Sequence, residues 1–164
     1  MSDIPALSNR IYRTTRAAFY EYGSDVPPPG ALSDTQLDVE QDLRGGSQIL
    51  LAVLSESGRV AGVVRWRVQK GQLRFHRLAV IPSERRKGVA SALLRGLIDE
   101  ANANGCTSIA CDVRLGVSRN VALYEKFGFV HTGERMITRG GFTVHLGVMT
   151  LSLGSATMGI GKGK

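Results

Sequence analysis

The chain has 164 residues, 43% of them hydrophobic and 21% charged, enough for one compact domain with a sizeable core. No window approaches the roughly 18 consecutive apolar residues that would span a bilayer, and the opening MSDIPALSNR lacks the apolar centre of a secretion signal, so a cytoplasmic protein is expected. The net charge of +7 points to an anionic partner, whether nucleic acid, a membrane surface or a phosphorylated small molecule, without choosing among them.

Ile4, Leu7, Ile11, Thr15, Ala18 and Tyr22 recur at steps of three and four, which predicts a first helix over residues 4–22, capped by Ser2 or Asp3 with Pro5 in its first turn. GSDVPPPGALSD cannot continue a helix and is a loop. A second helix, TQLDVEQDLRGG, is capped by Ser33 or Asp34 and ends at Gly45 and Gly46. Three strands follow, Gln48 to Ser55, Arg59 to Gln69 and Leu73 to Ile81, with links short enough for antiparallel hairpins.

A helix over 88–104 carries Val89, Leu93, Leu97 and Ala101 on one stripe and stops at Gly105. The strand Thr107 to Val113 after it makes a parallel crossover, right-handed by the chirality rule. A short helix from Asn120 to Phe127 precedes a strand from Phe129 to Met136, and a last strand, Thr143 to Leu153, leads into a Gly-rich basic tail. This order predicts a mixed α/β sheet, mostly antiparallel with one parallel crossover, in a single domain over 1–153 with a flexible tail over 154–164. Cys106 and Cys111 have neither metal-ligand nor disulfide spacing and read as buried free thiols. His76, His131 and His145 are scattered, and no metal site is expected.

The segment with most chemical content is HRLAVIPSERRKGVAS, residues 76–91, where a strand turns into a helix. A helix that starts there exposes unpaired backbone N–H groups and the positive end of its dipole, which suits a phosphate. Gly88 permits close backbone approach, Ala90 keeps the next turn small, and Arg85, Arg86 and Lys87 add charge at the same point. The nucleotide-triphosphate pattern GxxxxGK[ST] is absent, and so is the dinucleotide pattern GxGxxG.

The turn resembles motif A of the GCN5-related N-acetyltransferase (GNAT) family, Q/RxxGxG/A after a strand reading like LAV: here Leu78, Ala79, Val80, then Arg85, Gly88 and Ala90. NVALYEKFGF, Asn120 to Phe129, resembles motif B of the same family. With the strand order, the resemblance covers roughly residues 34–153. It implies an acyl-CoA N-acyltransferase fold in which the strand ending at Val80 splays from its parallel neighbour, Thr107 to Val113. The pantetheine arm of acetyl-CoA lies in that wedge against Leu78, Ala79 and Val80, and the pyrophosphate on the turn formed by Arg85, Arg86, Lys87, Gly88, Val89, Ala90 and Ser91. Asn120 either caps its helix or touches the arm.

Acetyl transfer to an amine needs a neutral amine, a stabilised oxyanion and a proton for the departing thiolate. The resemblance implies that the backbone N–H of Val80 faces the thioester carbonyl and that Tyr124 protonates the sulfur; the plain alternative for Tyr124 is a core aromatic beside Phe127 and Phe129. Strict alternation puts His76 on one face with Leu78 and Val80, and its usual pKa of about 6.5 suits a base. Asp112, Glu134 or a water chain are the other candidates for that role.

Members of the family that the chain resembles usually begin with a strand before the first helix, and here that edge strand reads as short or missing, either absent from the sheet or encoded upstream; an altered edge could affect stability or the formation of a homodimer. Two rival functions remain: a coenzyme A-binding protein without transferase activity, and a nucleic-acid module. The latter has only the basic charge behind it, without aromatic stacking runs, zinc ligands or a recognition helix, so no nucleic acid and no membrane partner is expected. The resemblance places acceptor contacts in Asp25 to Glu40 and Ile137 to His145, where Asp34, Asp38 and Glu40 could attract a cationic amine.

Overall fold

The structure is a computed structural model that describes residues 3–20, 30–114 and 118–154; most of the proline loop, the tail beyond Gly154 and the side chain of Asn120 lie outside the described residues. The elements run α1 Ile4–Phe19, α2 Gln36–Arg44, β1 Gln48–Val53, β2 Val60–Gln69, β3 Gln72–Val80, α3 Val89–Ala103, β4 Ser108–Arg114, α4 Ser118–Lys126, β5 Val130–Arg139 and β6 Phe142–Ser152. The six strands form a sheet of order β1-β2-β3-β4-β6-β5. β1 with β2, β4 with β6 and β5 with β6 are antiparallel, while β3 and β4 are parallel, the mixed sheet that the element order predicts. The first described element is α1, and β1 is the first described strand. Among the described residues no helix is long and apolar enough to cross a membrane.

The chain divides into two compact units, Met1–Arg67 with His76–Gly96, and Val68–Phe75 with Leu97–Lys164. In the first unit, α1 opens on Asp3, whose side chain accepts from the Ala6 N–H, and Pro5 occupies its first turn. The cap of α2 is Thr35 rather than Ser33 or Asp34: Thr35 and Asp38 satisfy each other's backbone N–H groups in a capping box, which leaves the Asp34 carboxylate for arginines. The core of this unit is Ile11, Ala18, Val39, Val63 and Ala79, flanked by Leu7, Tyr12, Phe19, Leu43, Ile49 and Leu51. Burying Ile11, Val39 or Val63 stabilises by about 1.5–3 kcal/mol each relative to exposure.

In the second unit, α3 ends at Gly105 with φ +67°, and the Cys106 N–H reaches back to the Ala101 carbonyl at 2.9 Å, closing the helix before β4. β4 is buried at Ile109, Ala110, Cys111 and Val113, and pairs with β6 from Ser108↔Ser152 to Arg114↔Leu146. β6 returns beside β4 and leaves β5 as the edge strand, with an irregular register between His131 and Gly133.

Candidate functional site

β3 carries a bend that the sequence pattern does not announce. Arg77 sits at φ +56°, the left-handed region that a non-glycine residue rarely occupies. The consequence is a bulge: two successive side chains, His76 and Arg77, both reach the α2 side, His76 Nε2 lying 3.1 Å from Asp42 Oδ2 and Arg77 Nε donating to Asp34 Oδ2 at 3.0 Å. Ala79 then enters the core with Ile11, Ala18, Val39 and Val63. The expectation that His76 shares a face with Leu78 and Val80 is therefore corrected. Past the bulge the alternation is reset, and Leu78 and Val80 lie on the face opposite Ala79. The parallel register of β3 with β4 ends at Arg74↔Ala110, before the bulge.

The turn after β3 combines a 3₁₀ segment, Pro82–Glu84, with two left-handed residues, Arg86 at φ +63° and Gly88 at φ +83°. Backbone that alternates in hand this way turns successive N–H groups toward one concave point. The first α3 bond runs from the Ala92 N–H to the Gly88 carbonyl at 3.0 Å, so the N–H groups of Val89, Ala90 and Ser91 precede any intrahelical acceptor. A Cβ built on Gly88 would meet nothing within 4 Å. Glycine is thus required there for its φ, with open space beside it, rather than to clear a neighbouring atom.

The three basic side chains behave differently from one another. Arg85 donates from Nε to the Val80 carbonyl at 3.3 Å and from Nη2 to the Ala18 carbonyl, tying the end of β3 to the negative end of α1. Its guanidinium is thus engaged by carbonyls of the chain itself. Lys87 lies 3.4 Å from Glu84, which is buried and also paired with Arg59 at 3.2 Å. Arg86 is exposed. Gly62 on β2 is the residue that sequence reasoning missed: a Cβ there would stand 2.8 Å from Val89 Cγ1, 3.0 Å from the Ala79 carbonyl oxygen and 3.1 Å from Leu93 Cδ1. Its absence lets the first turn of α3 rest directly on the strands. The signal was available, a lone glycine inside the strand run VAGVV.

A polar cluster surrounds His76. Asp42 accepts from Ser47 Oγ at 2.6 Å, Arg67 Nη2 at 2.9 Å and Arg65 Nη1 at 2.9 Å, in addition to meeting His76. Burial alone would raise its carboxyl pKa; hydrogen bonds from His76 and Ser47, with the charges of His76 and Arg65, outweigh that and hold it well below the usual carboxylate range. Asp34 is likewise lowered, burial being overcome by the hydrogen bonds and charges of Arg77 and Arg65. Both expected attractors for a cationic amine are thus already paired with arginines, and Asp38 is engaged in the capping box.

In the second unit Tyr124 is 5% exposed and packs edge-on to Phe75 and tilted to Phe129, ring centroids 5.7 Å and 5.6 Å away. Phe75, not Phe127, completes this trio. Burial, reinforced by the neighbouring Cys111, pushes the Tyr124 phenol pKa far up, so it stays a neutral O–H donor at any working pH. Burial and the charge of Asp112, partly offset by Arg74, push the Cys111 thiol up to about 12, in keeping with an inert buried thiol. The alternative bases are both committed: Asp112 is held between Arg74 and Arg135, each at 3.0 Å, and Glu134 lies 2.7 Å from His145.

The acetyltransferase (GNAT) family model matches residues 10–129. Over 84 residues the chain is 32% identical to the ribosomal protein bS18-alanine N-acetyltransferase of Escherichia coli strain K12, a match that takes in 51% of this chain and 57% of that relative. The chain therefore spans little more than half the length of the curated relatives it matches. Among solved structures, the ribosomal-protein-S18-alanine N-acetyltransferase of Escherichia coli superposes with a TM-score of 0.71 at 20% identity, covering 93% of this chain and 90% of that one. A GNAT family acetyltransferase from Elizabethkingia anophelis with acetyl-CoA bound gives a TM-score of 0.62 at 18% identity, covering 74% and 84%. At those identities the two structures speak for the fold, and the family model covers most of the sequence. The chain belongs to the GNAT acetyltransferase family.

Proposed function

We propose that the chain transfers the acetyl group of acetyl-CoA to a primary amine by direct attack with both substrates bound. The observation that carries this reading is the turn itself, with Arg86 and Gly88 both left-handed immediately ahead of α3. The concave set of N–H groups from Gly88 to Ser91 fits a diphosphate, with Arg86 and Lys87 as exposed counter-charges. The backbone of Leu78, Ala79 and Val80, past the bulge, offers its polar groups to the amides of the pantetheine arm, and the Val80 N–H meets the negative charge that develops on the carbonyl oxygen. Asn120 is assigned to the arm by its place in the second motif.

Acetyl-CoA supplies the activated carbonyl; the protein manages protons around it. Tyr124, as a neutral phenol, donates a hydrogen bond to the departing sulfur rather than ionising. His76 is the base we favour. Because Asp42 is ionised it can only accept, so the His76 Nε2 carries a proton and the lone pair of the neutral ring, the form that can act as base, rests on Nδ1. That lone pair takes the proton that the acceptor ammonium loses to become the attacking amine, and the second proton, shed by the nitrogen as the tetrahedral intermediate collapses, goes to the departing thiolate.

The test is thermal and chemical together. Acetyl-CoA should raise the melting temperature of the wild type, and Gly88→Glu should abolish that shift, because glutamate strains a φ of +83° by roughly 1–3 kcal/mol and puts a carboxylate where the diphosphate belongs. A panel of amines should release thiol from acetyl-CoA. Absence of any thermal shift in the wild type overturns the binding reading; a shift without thiol release from any amine overturns the transferase reading alone.

A further inference from the structure

Asp42 and Asp34 stand beside the proposed base, yet Asp42 has no capacity left for a substrate cation and Asp34 keeps one position of four, already shared between two arginines. A carboxylate offers about four lone-pair positions. Asp42 Oδ1 is met by Ser47 and Arg67, and Oδ2 by Arg65 and His76, which fills all four. Asp34 receives Arg65 and Arg77 on Oδ2 and Arg77 again on Oδ1.

The donor side is in surplus. Arg67 engages through Nε and Nη2, and Arg77 also through Nε and Nη2. The Nη1 groups of both are without a partner among the described residues, on side chains that are 37% and 28% exposed. Three guanidinium groups against two carboxylates also leave a net positive charge of one on the cluster while His76 is neutral. All of these groups lie in one compact unit, and His76 is on the strand that ends at Val80.

We propose that this cluster selects an acceptor whose amine has a carboxylate close beside it, held by the Nη1 donors of Arg67 and Arg77. A polyamine or a lysine-rich peptide end meets the wrong sign of charge there, finds no open acceptor on Asp42, and on Asp34 finds one position on Oδ1 beside two arginines. The proposal rests on the transferase reading and adds the class of acceptor to it.

Three peptides with the same terminal alanine test it: one followed by Glu-Asp, one by Gln-Asn and one by Lys-Lys, with free glutamate as a fourth substrate. Acetyl-CoA-dependent thiol release is measured for each, and binding of dye-labelled peptides is followed by fluorescence anisotropy with coenzyme A present. The acidic peptide should exceed its amide analogue about tenfold in kcat/KM, carried in KM, since one charged hydrogen bond is worth that much. The advantage should shrink with added salt. Arg67→Gln, and independently Arg77→Gln, should bring the acidic-to-amide ratio near one, so that either variant suffices if the other does not fold. Free glutamate matching the acidic peptide assigns a small amino acid; a response to the peptide alone assigns a polypeptide end. Equal rates for all peptides, or a preference for lysine, overturn the proposal. If acetyl-CoA binds but no amine is turned over, the transferase reading fails by itself and anisotropy decides this one: preferential binding of the acidic peptide sustains it, equal binding overturns it.

Discussion

Tyr124 separates a packing role from a chemical one by a single oxygen. Its ring fills the space between Phe75 and Phe129, and phenylalanine would keep both contacts. Tyr124→Phe should therefore leave the melting temperature within a few degrees while lowering kcat about a hundredfold, the scale of one well-placed donor to a departing group. Steady-state thiol release beside a thermal melt checks this, and unchanged turnover would reduce Tyr124 to a core aromatic. At this scale the sequence is legible where backbone chemistry restricts the residue type, as at Gly88, although it is a φ of +83° rather than the expected close backbone approach that calls for glycine there. Nothing in the sequence announces the left-handed Arg77 or the carbonyl partners of Arg85. A left-handed arginine leaves no mark in composition or spacing, and a guanidinium reaches so far that its partner, the Ala18 carbonyl for Arg85, depends on a helix packed from 67 residues away. The Asp42 hub was hidden for the same reason, its partners His76 and Arg65 being 34 and 23 residues distant.

Gly62 couples β2 to α3, and through α3 to the proposed diphosphate turn. A valine there would place its Cβ within 3.0 Å of the Ala79 carbonyl oxygen, which is backbone and cannot move aside like a side chain end. Gly62→Val should destabilise by about 1–3 kcal/mol by overpacking and should also weaken the acetyl-CoA thermal shift, because Val89, the atom it strikes at 2.8 Å, opens the helix whose N–H groups hold the anion. Chemical denaturation with and without acetyl-CoA separates the two effects; a variant that loses stability but keeps the full shift would show that α3 tolerates displacement. The elements themselves were legible to within a few residues: α3 over Val89–Ala103 was expected at 88–104, and β2 over Val60–Gln69 at 59–69. Hydrophobic period and turn glycines dictate those. What period cannot dictate is lateral order. Nothing in the β5 and β6 segments says that the later strand lies beside β4, since that choice is made by the pairing of Cys111 with Met149 and its neighbours across the sheet. The α2 cap was misplaced by one or two residues because Asp34, a good cap by type, is drawn instead to Arg65 and Arg77.

For the whole chain, the net charge of +7 says less about partners than the distribution of its charges does. Arg59, Arg65, Arg67, Arg74, Arg77, Lys87 and Arg135 all face carboxylates of the chain itself, so much of the basic surface is locally compensated rather than arrayed as a stripe for phosphates. The same pairing predicts how stability varies with pH. Asp34 and Asp42 have folded pKa values below their unfolded value of about 3.9, so their contribution is fully present above that value and is lost as pH falls through it toward the folded values. Cys111 works at the other end: its folded pKa of about 12 lies above the unfolded thiol value, so stability falls as pH rises past about 8.5 and the unfolded chain ionises first. Urea midpoints should accordingly be level between about pH 4 and pH 8.5 and decline on both sides. Asp42→Asn should lower stability by about 2 kcal/mol at neutral pH, since it leaves Arg65, with a side chain only 4% exposed, short of a charged partner. The gap between variant and wild type should then narrow below about pH 4, where the native carboxylate is itself being protonated. A gap that stays constant down to the acid limit would mean that Asp42 stabilises by shape and hydrogen bonding alone, and that its charge is neutralised by Arg65 and Arg67 without net gain.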